Sequence, residues 1–242
     1  MRYIGIDPGT TESAYVVYDP DSKEQILESG LVENNKMLVL LDTWRHVNVN
    51  TDNKYHLAIE MIASYGMAVG ETTFETCLWI GRFIQVFGAH QTTKVYRARD
   101  GDVTGVKMYL CHSNKAKDSN IRQAIIDKFG GEDIAIGGKK CHECKGRGTL
   151  SGKIVCPECP GKCEKCKGRG TFKRNACPDC LGRLCSVCGN KGKLDKKPPC
   201  LKCNETGWKY PPGPLKEISS HRWQALAAAI TYADNYKTGK QS

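Results

Sequence analysis

Residues 4–10 read IGIDPGT, an apolar strand that ends in an acidic residue where Pro8 and Gly9 turn the chain. Two more strand-like runs follow at residues 13–18 and 25–32, separated by turn-forming Asp, Pro and Gly residues. Short apolar runs broken by such turns predict a three-stranded meander. Asp7 is therefore expected at the end of the first strand of a sheet.

Helix-like and strand-like segments alternate from there to residue 138. The predicted helices are residues 36–46, 73–87 and 118–129, and the predicted strands are residues 55–62 and 94–98. Asp118 or Ser119 is the expected cap of the helix at 118–129. The helix at 73–87 is expected to bury one apolar side, formed by Phe74, Leu78, Ile80, Phe83, Ile84 and Phe87.

Glycine, cysteine and lysine dominate residues 139–208, where large apolar side chains are sparse. Such a segment buries too little apolar surface to fold alone, so we expect metal to hold it. Of the 14 cysteines, Cys77 and Cys111 stand apart in apolar surroundings and are expected to be small buried side chains. The other 12 form six Cys-x-x-Cys pairs: Cys141/Cys144, Cys156/Cys159, Cys163/Cys166, Cys177/Cys180, Cys185/Cys188 and Cys200/Cys203.

The cysteine pairs repeat regularly, since Cys141, Cys163 and Cys185 are each 22 residues apart. This step indicates three tandem units, in each of which two pairs supply the four thiolates of a tetrahedral zinc site. The simplest count is three zinc ions. The sequence shows neither a signal peptide nor an apolar run of membrane-spanning length, which favours metal over disulfides and predicts a soluble cytoplasmic protein.

Residues 141–148 and 163–170 both read Cys-x-x-Cys-x-Gly-x-Gly. Glycine at these positions lets backbone amides turn toward thiolate sulfur. The pattern resembles the cysteine-rich domain of DnaJ-type cochaperones. Members of that family normally carry four pairs with a nested pairing, so which of the six pairs share a zinc ion stays open.

The net charge of +10 is unevenly distributed. Residues 139–210 hold 18 Lys and Arg against 6 Asp and Glu, a net of +12, and the remainder carries −2. Three zinc ions on twelve thiolates would lower the charge of this segment to about +6. A basic segment joined to a near-neutral body favours a polyanionic partner such as nucleic acid. A lysine-rich solvated surface is the alternative.

Glu60 lies inside the otherwise apolar run LAIEM at residues 57–61. Burial of an ionised carboxylate is costly unless a cation or a hydrogen-bond partner compensates it. If this strand lies beside the first, Asp7 and Glu60 converge on one metal site. The alternative is a glutamate on an edge strand that faces water.

Residues 219–231 read SSHRWQALAAAIT and belong to an alanine-rich helix predicted at 220–236. Trp223, Leu226 and Ile230 form one apolar stripe of this helix. His221 and Gln224 are three residues apart and share another face.

IGIDPGT, the strand with Glu60 and the helix SSHRWQALAAAIT together resemble the RuvC family of Holliday junction resolvases, and phage-borne members in particular. IGIDPGT alone also resembles the phosphate-binding strand of actin-like and heat-shock ATPases, but 242 residues are too few for their two domains. In RuvC proteins the first turn of the last helix contributes two metal-site residues. His221 falls on the first, and Gln224 falls on the second, which is usually Asp.

The resemblance covers residues 1–138 and 211–236 and includes the basic segment KAKDSNIRQ at 115–123. It implies an α/β fold of the RNase H-like type, a mixed five-stranded sheet flanked by helices, with a small zinc-stabilised, loop-rich β-hairpin insertion. The chain then divides into a first part of the nuclease core (1–138), the cysteine-rich insertion (139–210) and the final helix that completes the core (211–242).

The resemblance also implies an endonuclease of DNA recombination and repair that cleaves branched DNA, such as Holliday junctions, by two-metal-ion hydrolysis with Mg²⁺ or Mn²⁺. It would act as a homodimer, in the host cytoplasm if the protein is phage-encoded. The implied catalytic residues are Asp7, Glu60, His221 and Gln224, the first three as metal ligands. The expected DNA contacts are Lys115, Lys117 and Arg122, with Tyr65 stacking on an unpaired base. The alternatives are a non-catalytic DNA-binding or scaffolding protein on the same fold, or a DnaJ-like chaperone module.

Overall fold

The apolar runs of the sequence pair into a mixed five-stranded sheet in the described part of the computed structural model. The strands are β1 (Arg2–Asp7), β2 (Glu12–Tyr18), β3 (Ile26–Glu33), β4 (Tyr55–Met61) and β5 (Thr92–Tyr96). Their order is β3-β2-β1-β4-β5. The first three form the predicted antiparallel meander, and β4 and β5 run parallel to β1. This arrangement confirms the predicted RNase H-like fold class.

The structure describes residues 1–50, 54–62, 69–96, 105–147, 149–150, 171–172, 175–176 and 199–237. Their helices are α1 (Asn34–Asn50), α2 (Glu71–Phe87), α3 (Val106–Cys111), α4 (Asp118–Lys128), α5 (Glu132–Ala135) and α6 (Arg222–Lys237). Helix α3 was not predicted from the sequence. Helix α4 begins at Asp118, but its cap is the preceding residue, Lys117, whose backbone N–H donates to Asn120 Oδ1 at 2.9 Å. None of the helices in these ranges is long and apolar enough to cross a membrane.

The sheet buries a different set of helices on each face because strand side chains alternate in direction. Ile4 and Ile6 of β1 pack with α1 and α2, as do Leu57 and Ile59 of β4. Tyr3 and Ala58 lie on the opposite face, where α6 packs against β1, β2 and β4. Helices α3 and α4 pack against α6 in turn, so that Ala225 to Ala233 of α6 are all buried.

Two sequence-based predictions of burial are wrong. Phe74 and Leu78 of α2 are 65% and 57% exposed, whereas Thr76, Ile80, Phe83 and Phe87 are buried. The apolar residues of α2 thus form two stripes, and only one of them faces the sheet. Cys77, on the same helix, is also exposed, and Cys111 is partly buried.

Gly5 allows α6 to approach β1 at the level of the backbone. A Cβ atom at this position would lie 1.8 Å from the carbonyl oxygen of Ala225 and 2.9 Å from Cβ of Ala229. The alanines of α6 and the absent side chain of Gly5 therefore set the spacing between the last helix and the first strand.

The chain divides into two compact units, Met1–Ile136 with Gly213–Ser242, and Gly137–Pro212. In the second unit, β6 (Gly137–Lys140) pairs with β9 (Trp208–Pro212), and the two-residue strands β7 (Thr171–Phe172) and β8 (Asn175–Ala176) form a further antiparallel pair. Both pairs are short β-ribbons. A 3₁₀ turn, Leu201–Cys203, precedes β9.

We expect Gly5→Ala to lower the free energy of unfolding of the sheet unit by about 3 kcal/mol, since the added methyl group meets backbone rather than a side chain that can move. Gly81→Ala is the matched control. Gly81 is exposed on α2 with open space around it, so alanine should stabilise the helix by up to about 1 kcal/mol. Urea denaturation followed by tryptophan fluorescence measures both. Equal effects of the two substitutions would contradict the packing described for Gly5.

Candidate active site

Two carboxylates lie near the carboxyl ends of neighbouring parallel strands, on the face of the sheet that α6 covers. The β1/β4 register pairs Ile6 with Ile59, which places Glu60 at the strand position next to Asp7. Adjacent strands lie about 4.8 Å apart. Because Ile6 and Ile59 face α1 and α2, Asp7 and Glu60 both face the α6 side. Strand β4 is flanked by β1 and β5, so the alternative of an edge-strand glutamate is wrong.

Buried polar side chains hold the turn that follows Asp7. Ser13 Oγ accepts a hydrogen bond from the backbone N–H of Gly9 at 3.2 Å and donates to Asn34 Oδ1 at 2.6 Å. Asn34 Nδ2 donates in return to the Gly9 carbonyl at 3.0 Å. Ser13 and Asn34 are 0% and 1% exposed. This closed network fixes the backbone that carries Asp7.

His221, the residue immediately before α6, contacts the carboxylate of Asp7. Its Nδ1 lies 2.9 Å from Asp7 Oδ2, and the two side chains are 70% and 17% exposed. An ionised carboxylate only accepts hydrogen bonds, so Nδ1 carries the proton of this contact. Nε2 is then free of that contact. A cavity of about 230 Å³ opens beside the histidine and is lined by Ala14, Leu31, Ser219, Ser220, His221 and Arg222.

Gln224, the second predicted residue of this helix, bonds to a carboxylate that sequence reasoning did not assign to the site. Its Nε2 donates to Asp118 Oδ2, the first residue of α4, at 3.2 Å. Its Oε1 is buried and has no hydrogen-bond partner among the described residues. The sequence offered one hint of Asp118, namely the absence of an acidic residue at position 224. The position of Asp118 beside α6 depends on the fold and could not be predicted from local sequence.

The predicted DNA-contacting residues divide into three cases. Lys115 and Lys117 are exposed immediately before α4. The Arg122 guanidinium lies 5.0 Å from the centroid of the buried Trp223 ring, so its side chain also packs α4 onto α6. Tyr65 lies outside the described residues.

The donor set of the site suits a hard divalent cation. Asp7 and Glu60 supply carboxylate oxygens, His221 an imidazole nitrogen and Gln224 a buried amide oxygen that lacks a partner among the described residues. Mg²⁺ and Mn²⁺ prefer such oxygen-rich sites. The types of donor atom present therefore fit the metal that the sequence predicted.

A second cluster has the chemistry of a thiolate metal site. Within the described residues, Cys141, Cys144, Cys200 and Cys203 are all buried, and their sulfur atoms lie within 4.8 Å of one another. The sulfur atoms of Cys141 and Cys200 are 3.8 Å apart, and those of Cys144 and Cys203 are 3.7 Å apart. Tetrahedral zinc with bonds of about 2.3 Å places its sulfur ligands about 3.8 Å apart. The cluster is therefore compatible with zinc.

Glycines close the two cysteine turns around this cluster. The backbone N–H of Gly207 donates to Cys203 Sγ at 3.3 Å, and a Cβ atom on Gly207 would lie 2.4 Å from the carbonyl oxygen of Gly146. Both glycines have positive φ, +81° and +86°. Burial beside three other sulfur atoms raises the pKa of the Cys200 thiol to about 12. A metal ion that binds these sulfur atoms has to displace the thiol protons. Lower pH therefore favours release of the metal.

The tandem pairing expected from the 22-residue step is wrong for this cluster. Cys141 and Cys144 meet the last pair, Cys200 and Cys203, rather than Cys156 and Cys159, because β6 and β9 bring the two ends of the unit side by side. The other predicted zinc ligands lie outside the described residues: Cys156, Cys159, Cys163, Cys166, Cys177, Cys180, Cys185 and Cys188.

Comparisons with known proteins gave matches among solved structures alone. No protein-family model matches the chain, and no curated protein is significantly similar to it. RuvC of Thermus thermophilus in complex with a Holliday junction substrate aligns with a TM-score of 0.47 and 14% identity, over 99% of this chain and 96% of that one. A second Thermus thermophilus RuvC structure aligns with a TM-score of 0.43 and 14% identity, over 99% and 97% of the two chains.

Proposed function

We propose that this protein is a metal-dependent endonuclease that cleaves branched DNA such as Holliday junctions. The observation that carries the proposal is the 2.9 Å contact between His221, immediately before the last helix, and Asp7 at the end of β1, with Glu60 at the neighbouring position of the adjacent parallel strand. The preference for branched DNA comes from the resemblance of these motifs, in this order, to the RuvC family.

Asp7, Glu60 and His221 would hold the metal, with Gln224 assisting. Two bound Mg²⁺ ions would lower the pKa of an attacking water and offset charge on the phosphate. The water oxygen then bonds to phosphorus while the bond to the 3′ oxygen breaks, leaving a 5′ phosphate and a 3′ hydroxyl. His221, with Nδ1–H given to Asp7, has Nε2 available either as a ligand or to take the proton of the attacking water.

Basic side chains beside the site suit a DNA backbone. Lys115 and Lys117 are exposed and immediately precede Asp118, which contacts Gln224 of the site. Exposed lysines beside the site could neutralise phosphates of the bound DNA backbone. Residues 139–210 add a net charge of +12 before metal binding, and a DNA contact by this segment belongs to the same proposal.

Asp7→Asn and Glu60→Gln should each reduce cleavage of a synthetic four-way junction with Mg²⁺ to below about a tenth of the wild-type rate. Mutation of residues that only orient metal ligands typically lowers activity or metal affinity tenfold or more, so loss of a ligand itself should cost at least as much. Junction binding, measured by gel shift with Ca²⁺ in place of Mg²⁺, should persist because side-chain volume is retained. Glu24→Gln is the matched control, since Glu24 is exposed in the turn at the far end of β2.

The same assay separates the alternatives. Junction binding without cleavage by the wild-type protein would favour a DNA-binding or scaffolding role. Suppression of aggregation of an unfolded client without DNA affinity would favour a chaperone-like module. Cleavage that survives Asp7→Asn would mean that the active site lies elsewhere.

We also infer that zinc occupies the cluster of Cys141, Cys144, Cys200 and Cys203, and that the full set of twelve paired cysteines binds about three ions. The support is the buried four-sulfur geometry and the segment's lack of apolar residues for a core of its own. Thiolate sites prefer zinc to magnesium, so the two metal sites of the chain select different ions.

Cys141→Ser combined with Cys200→Ser should lower the zinc content by one ion per chain, as measured by elemental analysis of purified protein. Each serine removes one thiolate ligand from a different Cys-x-x-Cys pair, so two of the four zinc ligands are lost. Cys77→Ser, a change at an exposed cysteine on α2, should leave the count unchanged. An unaltered zinc content in the double variant would rule out this cluster as a zinc site.

A cytoplasmic homodimer is the proposed working state, since two symmetric cuts across a four-way junction need two active sites. Phe74 and Leu78 support this assembly: they lie one turn apart on α2, and both are more than half exposed. A contiguous apolar patch on the surface marks a candidate interaction site, and these two side chains could form the centre of one.

Phe74→Lys with Leu78→Lys should convert a dimer to a monomer in light-scattering measurements. Each subunit would bring two lysines to a symmetric interface, so four like charges would be buried together. Ile134→Lys introduces the same side chain at another exposed apolar position, 62% exposed on α5, and should leave the dimer intact. If the Phe74/Leu78 variant keeps the mass of a wild-type dimer, α2 is not the interface.

A further inference from the structure

The contact between Gln224 and Asp118 joins two helix starts that are 106 residues apart in the chain. Gln224 is in the first turn of α6, one turn beyond His221, and Asp118 is the first residue of α4. Position 224 is where the resemblance to RuvC leads one to expect an aspartate. Position 224 of α6 therefore carries an amide instead of the expected carboxylate, and that amide contacts the carboxylate of Asp118 on α4.

The chemistry of this contact fixes the orientation of the amide. A carboxylate oxygen accepts hydrogen bonds, so the Gln224 atom that faces Asp118 at 3.2 Å is Nε2, and Oε1 points the other way. Oε1 is fully buried without a hydrogen-bond partner among the described residues. A buried carbonyl oxygen without a donor is costly, unless it serves a cation or a bound water.

We propose that Asp118 is a positioning residue of the active site, which orients the Gln224 amide and polarises it so that Oε1 serves the metal site in place of a carboxylate. The inference rests on the proposed function and extends it to a residue outside the expected ligand set. An N–H group that donates to an anion leaves more electron density on the oxygen of the same amide. Glutamine, a weak ligand by itself, becomes a stronger one when its N–H bonds to Asp118.

Helix α4 offers a matched control for a purely structural effect. Asp127 is on the same helix as Asp118 and also accepts a hydrogen bond from a glutamine amide, Gln123 Nε2, at 2.9 Å. That pair lies within one helix and is exposed, so it contributes only to helix stability. Asp118 is exposed as well, so its replacement should not impair folding.

The test measures Mn²⁺ binding by calorimetry on the zinc-loaded, DNA-free protein, together with junction cleavage. Asp118→Ala should weaken Mn²⁺ binding about tenfold or more and slow cleavage to a similar extent, with junction affinity unchanged. Asp118→Asn, whose amide oxygen can still accept a hydrogen bond from Gln224, should have a Mn²⁺ affinity and a cleavage rate between those of Asp118→Ala and the wild type. Asp127→Ala should match the wild type in both assays.

Two backgrounds show whether Asp118 acts through Gln224. With Gln224→Leu already present, Asp118→Ala should cause no further loss, because the side chain that it orients is gone. With Gln224→Asp, which needs no polarising partner, Asp118→Ala should leave Mn²⁺ binding near the wild-type level. A wild-type-like Asp118→Ala protein, or an equal loss in the Gln224→Leu background, would overturn the inference.

Asp7→Asn in the same calorimetric assay separates this inference from the proposed function. If Asp7→Asn abolishes Mn²⁺ binding and Asp118→Ala does not change it, the active site stands and the role of Asp118 is wrong. If Asp7→Asn leaves Mn²⁺ binding unaltered, no metal site exists at Asp7, and both the proposed function and the role of Asp118 are overturned.

Discussion

The approach of α6 to β1 at Gly5 is the contact on which the rest of the sheet unit depends. The Ala225 carbonyl occupies the space where any other residue would place its Cβ atom. Two positions further along β1, the same face carries Asp7, and His221 lies one turn before Ala225, immediately ahead of the helix. The 2.9 Å contact between their side chains therefore follows from backbone packing that only glycine permits. A small residue in the core thus sets the distance between two polar residues at the surface.

The two proposed metal sites draw on different donors and on different parts of the sequence. The proposed oxygen donors are spread over β1, β4 and α6, so that site would form only when the sheet and the last helix are assembled. The sulfur donors of Cys141, Cys144, Cys200 and Cys203 come from two short turns beside one β-ribbon. Hard and soft ligands select different cations, so the two proposed sites would not compete for the same ion.

The sequence predicted the elements better than it predicted their contacts. All five strands and the helix with Trp223 follow from short-range periodicity, which is a local property. Helix α3 was missed because six residues are too few for a periodic signal. Asp7, Glu60 and His221 could be proposed from the sequence because Asp7 ends a strand, Glu60 interrupts an apolar one and His221 immediately precedes a helix. Asp118 could not, since its distance from Gln224 depends on how α4 packs on α6. The pairing of Cys141 with Cys200 likewise depends on strand pairing across about 60 residues, which a local repeat does not encode.

The backbone contact where the core is interrupted limits how much the inserted segment can disturb the core. Gly213 N–H donates to the Ile136 carbonyl at 2.9 Å, and Gly137 pairs with Pro212 in the next unit. To the core, the whole intervening segment is equivalent to a tight turn between two hydrogen-bonded residues. The entropic cost of a loop grows only with the logarithm of its length. A segment of quite different length could therefore span these two residues at little cost to the stability of the core.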